Sequence, residues 1–203
     1  MSHKNRNERG FTLLETLIVM GIMFILASIT IFKSFGTMSS YQANSAMDIA
    51  RSQLRVARQL AISQRRDVQI TFNTSATAPS ITYQVLAGTY IGSTEVNKTA
   101  VTMPLPTKVQ FTSEAGESDT PMAFGTCAGN YGVCIAGVSG GPVYMEFNSQ
   151  GQFTDNTKVN VLNGTIFLGI PSQPATARAV TIMGGTGRVR SYSFIGGTPA
   201  WTE

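Results

Sequence analysis

Four sets of residues in this sequence have the types and spacing to do chemistry. The first is Gly187-Arg188-Val189-Arg190. Residues two apart share one face of a strand, so Arg188 and Arg190 would point the same way. Guanidinium groups about 7 Å apart suit successive phosphates, each held by two hydrogen bonds. Gly184, Gly185 and Gly187 let a backbone approach closely. Tyr192 continues that face and could stack on a base, and Arg178 adds charge. The bland reading is a sheet edge whose arginines protect it or pair with Glu146 or Asp155. The second set is Cys127 and Cys134. Their spacing is wrong for a CxxC redox motif or a zinc knuckle. A short-range disulfide in an oxidising compartment fits better, with two reduced thiols as the alternative. Closing so small a loop stabilises a fold by roughly 2–3 kcal/mol on the loop-entropy account.

The third is Glu15, the only charge in the 22-residue apolar run 11–32, FTLLETLIVMGIMFILASITIF. An ionised acid inside a bilayer helix costs a few kcal/mol and marks function by default. A carboxylate reaching back to the membrane surface is the plainer account. The fourth set is what histidine would supply. The one histidine is His3, and without another there is no Ser-His-Asp triad and no histidine metal site. Glu114, Glu117 and Asp119 cluster without calcium-loop spacing. No catalytic residue, metal or cofactor is expected.

These residues need elements to hold them. The run 11–32 is long enough to cross the hydrocarbon layer as a helix. It follows a polar, basic segment, MSHKNRNERG, at residues 1–10. A secretory signal is cut after its apolar stretch; here the natural cut lies before it. The basic segment stays on the cytoplasmic side, so everything after Lys33 faces the far side. From Tyr41 to Arg66 there is no proline or glycine, and Met47, Ala50, Leu54, Ala57 and Ala61 recur at helical steps. That pattern predicts an amphipathic helix over 33–66, loosened near Gly36, with its apolar stripe on a sheet. Arg51, Arg55 and Arg58 fall on another face. They read either as a solvated surface or as a contact for nucleic acid or lipid headgroups.

After Arg66 the period becomes two. Val68, Ile70 and Phe72 alternate with polar residues, as do Ile81, Tyr83 and Val85. Val109 with Phe111, Val143 with Met145 and Phe147, Val159 with Val161, and Val180 with Ile182 continue the trend. Short alternating strands between Gly, Pro, Ser and Asn turns predict antiparallel sheet over 67–203. Residues 87–141 read as an irregular exposed loop braced by the cysteines. The fold class is therefore α+β: a long N-terminal helix packed on a C-terminal antiparallel β domain. A charged fraction of 13% fits an extracytoplasmic domain better than a cytosolic enzyme. The net charge of +4 owes two units to Lys4, Arg6, Arg9 and Glu8, so beyond residue 10 the chain is nearly neutral.

The stretch Arg9-Gly10-Phe11-Thr12-Leu13-Leu14-Glu15 closely resembles the prepilin motif of type IV pilins and type II secretion pseudopilins. The resemblance implies a leader ending at Gly10, removed by a prepilin peptidase, and methylation of the new amine of Phe11. It implies that Glu15 pairs with the N-terminal amine of a neighbouring subunit during assembly. Major pilins often carry a proline late in this helix; none lies between Phe11 and Phe32, which favours a minor subunit. Farther on, a strand ending Phe147-Asn148-Ser149-Gln150-Gly151 and the hairpin leading to Gly187-Arg188-Val189-Arg190 are similar to the GspH/FimT group of minor pilins and pseudopilins.

That resemblance implies a non-enzymatic subunit of a type IV pilus-like fibre, working in priming or at the tip. Its implied partners are other pilin or pseudopilin subunits, the prepilin peptidase, an inner-membrane assembly platform and the membrane. The implied location is the bacterial inner membrane with the domain in the periplasm, then the fibre. In some FimT-type minor pilins of naturally transformable bacteria a GRxR motif is implicated in binding DNA. On that branch Arg188, Arg190, Gly187, Tyr192 and Arg178 would contact double-stranded DNA. On the other branch the protein is a type II secretion minor pseudopilin with no nucleic-acid role.

Overall fold

The structure is a computed structural model describing residues 12–88, 96–113, 119–124, 132–135, 143–155, 159–195 and 201–203, with only the backbone at 30–37 and 143. Its helix, α1, runs Leu13–Gln64. The chain divides at residue 38 into two compact units, each taken here by itself.

The first unit holds the start of α1. Leu13, Leu14, Leu17, Ile18, Met23 and Phe24 are all exposed within it. A helix apolar on every side needs a buried setting from elsewhere, either protein or lipid. Among the described residues no helix is long and apolar enough to cross a membrane. The expected crossing over 11–32 runs beyond the described side chains at both ends.

The second unit carries the rest of α1 and all the sheet. The strands are β1 Val68–Asn73, β2 Ser80–Val85, β3 Val101–Pro104, β4 Gln110–Phe111, β5 Val133–Ile135, β6 Val143–Phe147, β7 Phe153–Thr154, β8 Gly164–Gly169, β9 Arg178–Met183, β10 Arg188–Phe194 and β11 Trp201–Thr202. They form two antiparallel sheets. The first has the order β3-β2-β1-β6-β7, and the second β11-β10-β9-β8-β4, with β5 also on β8. The single expected sheet is thus two. The expected loop over 87–141 contains β3, β4 and β5 among its described residues. The expected strand at 159–161 is only a bridge between Val161 and Thr154.

One core joins the layers. Ala46, Ala50, Leu54, Ala57 and Ala61 lie on the buried face of α1, each with no exposed surface. They pack with Val68, Ile70, Phe72 and Phe147 of the first sheet and Ile166, Leu168, Val180, Ile182 and Val189 of the second. Four alanines on one helical stripe let the backbone lie close to both sheets at near-crystalline density. The far face of the second sheet has its own smaller core of Phe167, Ala177, Ala179, Tyr192 and Trp201. Strand β11 brings Trp201 there, with its ring 5.8 Å from Phe167 and 5.1 Å from Phe194.

Candidate functional site

The arginines singled out by sequence do not form one group. Arg178 opens β9 and is buried. Its Nε donates to Asn44 Oδ1 of α1 at 2.7 Å, and its Nη1 donates to the Ala177 and Ala175 carbonyls at 2.8 and 3.2 Å. Burial pushes this guanidinium below the usual arginine pKa. Arg178 is a tie between helix and sheet, and offers no charge to a ligand. Tyr192 does share a face with Arg190, as alternation requires, but that face is covered. Its ring is 3% exposed, inside the Trp201 core, so it cannot stack on a base. The Tyr192 expectation is corrected by the second core, which buries the far side of the sheet, and the Arg178 expectation by its burial against α1.

Arg190 is half-buried beside Tyr192. Its Nη1 donates to Glu203 Oε2 at 3.2 Å. The Tyr192 side chain, and then the Glu203 carboxylate, hold the Arg190 guanidinium above its usual pKa. The pairing expected with Glu146 or Asp155 is instead made with Glu203. Arg188 alone of the set is exposed, at the start of β10.

The turn before Arg188 has a partner that the sequence did not reveal. Gly187 sits at φ +62°. A Cβ there would overlap the Gly151 carbonyl and fall 2.6 Å from Arg58 Nε. Gly151 sits at φ +79° in the turn between β6 and β7. Asn148 shapes that turn: its Oδ1 accepts from the Gln150 and Gln152 amides at 3.0 and 2.9 Å. Arg58 of α1 spans both turns, its Nε donating to Gly151 O at 3.3 Å. The Phe-Asn-x-x-Gly turn and the Gly-Arg-x-Arg turn therefore converge on one helical arginine. One helical turn away, Arg55 Nη2 donates to Val189 O at 3.4 Å.

At the other end of α1, Thr12 is the residue before the helix. Its Oγ1 accepts from the Glu15 amide at 3.3 Å, and its carbonyl accepts from the Glu15 and Thr16 amides at 3.1 and 3.2 Å. Thr12 and Glu15 thus stand at the two positions of a capping box. Glu15 is exposed in the first turn, where negative charge favours the helix dipole. The Thr-x-x-Glu spacing is a helix-start signal legible in the sequence itself. Gly10 and Phe11 lie outside the described residues. So does Cys127; Cys134 lies in β5 opposite Thr165 and is not a free thiol. Among the described residues no group of acids, histidines or cysteines is placed to hold a metal.

Comparison with known proteins locates the likeness at the N-terminus. Residues 5–31 match the family described as the prokaryotic N-terminal methylation motif. The chain's N-terminus carries that motif. The domain that follows in sequence is α+β, a helix packed on antiparallel sheets, as expected. Among solved structures, the chain is similar to the minor pseudopilin EpsH of the Vibrio cholerae type 2 secretion system. That match has 13% identity and a TM-score of 0.43, and covers 75% of this chain and 97% of EpsH. It is also similar to the type IV minor pilin FimU of Pseudomonas aeruginosa. Here the identity is 12% and the TM-score 0.45, with 80% of this chain and 94% of FimU covered. No curated protein matches the sequence.

Proposed function

We propose that this protein is a membrane-held subunit of a type IV pilus-like fibre, a minor pilin or pseudopilin, with no catalytic activity of its own. The observation that carries this is the methylation motif over 5–31, which takes in nearly all of the apolar run with its one acid and is followed by an α+β domain. Proteolysis between Gly10 and Phe11 would leave the apolar run as the new N-terminus. The helix would then stay in the inner membrane, its domain in the periplasm, until it packs sideways among other subunits. Phe11 would carry a methylated amine, and Glu15 would face the amine of a neighbour. Cys134 with Cys127 would make the one disulfide of the periplasmic domain. The prepilin peptidase and the assembly platform are the partners this reading requires.

The test is mass spectrometry of the protein recovered from membranes. The expected mature chain starts at an N-methylated Phe11. A chain that retains residues 1–10, or begins elsewhere, overturns the proposal. The same reading holds for a pilus and for a secretion pseudopilus. DNA uptake is a finer claim resting on Arg188 and Arg190, and the pairing of Arg190 with Glu203 argues against a free two-arginine edge.

A further inference from the structure

Three asparagines stand in the pattern Asn-x-Ser/Thr: Asn73-Thr74-Ser75, Asn97-Lys98-Thr99 and Asn163-Gly164-Thr165. This is the acceptor pattern for attaching a sugar to an asparagine side chain, a bulky modification carried on the surface of exported domains. The transfer needs an uncommitted amide nitrogen at the asparagine and a reachable hydroxyl two residues on. The structure separates the three. Asn73 ends β1, and its Nδ2 is spent on the Ala78 carbonyl at 3.1 Å, closing the turn to β2. The Ser75 hydroxyl is paired with Thr77 Oγ1 at 3.1 Å. Asn163 is exposed, but Thr165 lies within β8 with no exposed surface. A transferase cannot reach that hydroxyl without taking the strand out of its sheet.

Asn97 meets both needs. Residues 96–100 are all exposed and belong to no helix or strand. Among the described residues, Nδ2 of Asn97 makes no hydrogen bond, and neither does the Thr99 hydroxyl. Other polar groups hold this segment against β2. Oδ1 of Asn97 accepts from the Ala87 amide at 2.7 Å, and the Lys98 amide donates to the Val85 carbonyl at 2.9 Å. The Lys98 carbonyl accepts from Gln84 Nε2 at 2.9 Å. None of these bonds is lost when a sugar joins the nitrogen, because the side-chain carbonyl survives. Asn97 alone of the three also has an acid two residues before it, Glu95. A transferase that grips an acidic side chain as well would take Asn97 over the other two.

We propose that Asn97 is a site of N-linked glycosylation, with an oligosaccharide carried on a polyprenyl diphosphate as the donor. The amide nitrogen attacks the anomeric carbon of the first sugar. The Nδ2–C1 bond forms, the C1–O bond to the diphosphate breaks, and the lipid diphosphate leaves with the bonding pair. One amide proton passes to a base of the transferase. The position also gives the sugar a use. Three residues separate Asn97 from β3, the edge of the first sheet, whose four residues are all exposed, Val101 and Met103 among them. An open edge strand invites pairing with other chains, and a bulky hydrophilic group so near it opposes that pairing. The inference rests on the fibre reading in one respect: the domain must cross to the compartment where such donors are used.

The test has two arms. In the first, the protein is recovered from the membranes of cells that make it naturally, and its peptides are read by mass spectrometry. The same spectra report the N-terminus. The expected result is a sugar mass on Asn97, absent from Asn97→Gln and Thr99→Ala and kept by Thr99→Ser and Asn73→Gln. In the second arm, the folded full chain in neutral detergent is given a purified bacterial oligosaccharyltransferase and its lipid-linked oligosaccharide. Asn97 is expected to be modified at least about fivefold faster than Asn73, whose hydrogen bond to Ala78 must first break, with Asn163 left bare. A bare Asn97 on chains that begin at methylated Phe11 overturns the proposal and leaves the fibre reading standing. Chains that keep residues 1–10 overturn the fibre reading, and the second arm then decides the site alone. Transfer to Asn97 only after unfolding in urea, or faster transfer to Asn73 or Asn163, also overturns the proposal.

Discussion

Gly187 shows how one residue can carry two meanings. In the sequence it precedes two arginines and invites a reading as the glycine of a ligand loop. In the structure its missing side chain makes room for the Gly151 carbonyl and for Arg58. The positive φ adds a second reason, since a Cβ strains that conformation. Gly187→Ala is therefore expected to cost roughly 2 kcal/mol or more of folding stability, measured by urea denaturation of the full chain in detergent. A loss under about 0.5 kcal/mol, the usual range for an exposed surface change, would mean the two turns do not need each other. The same scale explains what the sequence hid about Arg178 and Tyr192. Two-residue alternation placed Tyr192 and Arg190 on one face correctly. It could not say that Trp201, on the short strand that follows β10, would cover that face. Arg178 looked like spare charge because its partners, Asn44 and two backbone carbonyls, leave no signature in a sequence.

At the scale of elements, legibility tracked how many faces of an element are wet. Helix α1 beyond residue 40 was legible because one stripe is apolar and the rest is polar. Strand β1 was legible because burial falls on every second residue, whereas β2 and β6 were legible from alternating apolar residue types although their burial does not alternate. Strand β8, Gly-Thr-Ile-Phe-Leu-Gly, was missed because all six of its residues are buried. With cores on both faces of its sheet there is no alternation to read. Strands β4, β7 and β11 are two residues each, too short for a period. The stripe Ala43, Ala46, Ala50, Ala57 and Ala61 gives the second prediction. Each is fully buried, so the helix lies against the sheets with no spare volume. Ala50→Leu adds three carbons to that contact and should destabilise the domain by about 1–3 kcal/mol. The midpoint of thermal unfolding measures it. Gln59→Ala, on the exposed side of the same helix, is the control and should shift it little. An equal shift in both would mean the alanine stripe is not the close-packed seam.

At the scale of the whole molecule, the question is whether Glu15 serves its own helix or another subunit. The local account is half made in geometry: Thr12 accepts from the Glu15 amide and the acid sits at the favourable end of the dipole, with no hydrogen bond from the Glu15 carboxylate back to Thr12 among the described residues. An N-terminal cap is worth about 1 kcal/mol, and glutamine serves at the third position nearly as well as glutamate. Pairing with a neighbour's amine in an apolar setting needs the charge itself, since a buried cation without a counter-ion is costly. Glu15→Gln separates the two. If capping is the whole role, Glu15→Gln should insert, be processed and enter fibres as the parent does. If the carboxylate docks the subunit, Glu15→Gln should still insert and lose residues 1–10, yet remain in the membrane fraction. We expect the second outcome, with the variant depleted at least tenfold from sheared surface fibres at equal membrane levels; that depletion corresponds to about 1.4 kcal/mol of docking energy. The measurement is an immunoblot of sheared and membrane fractions. Parent-like amounts in the sheared fraction would return Glu15 to its own helix and leave the fibre reading to rest on the cleavage site alone.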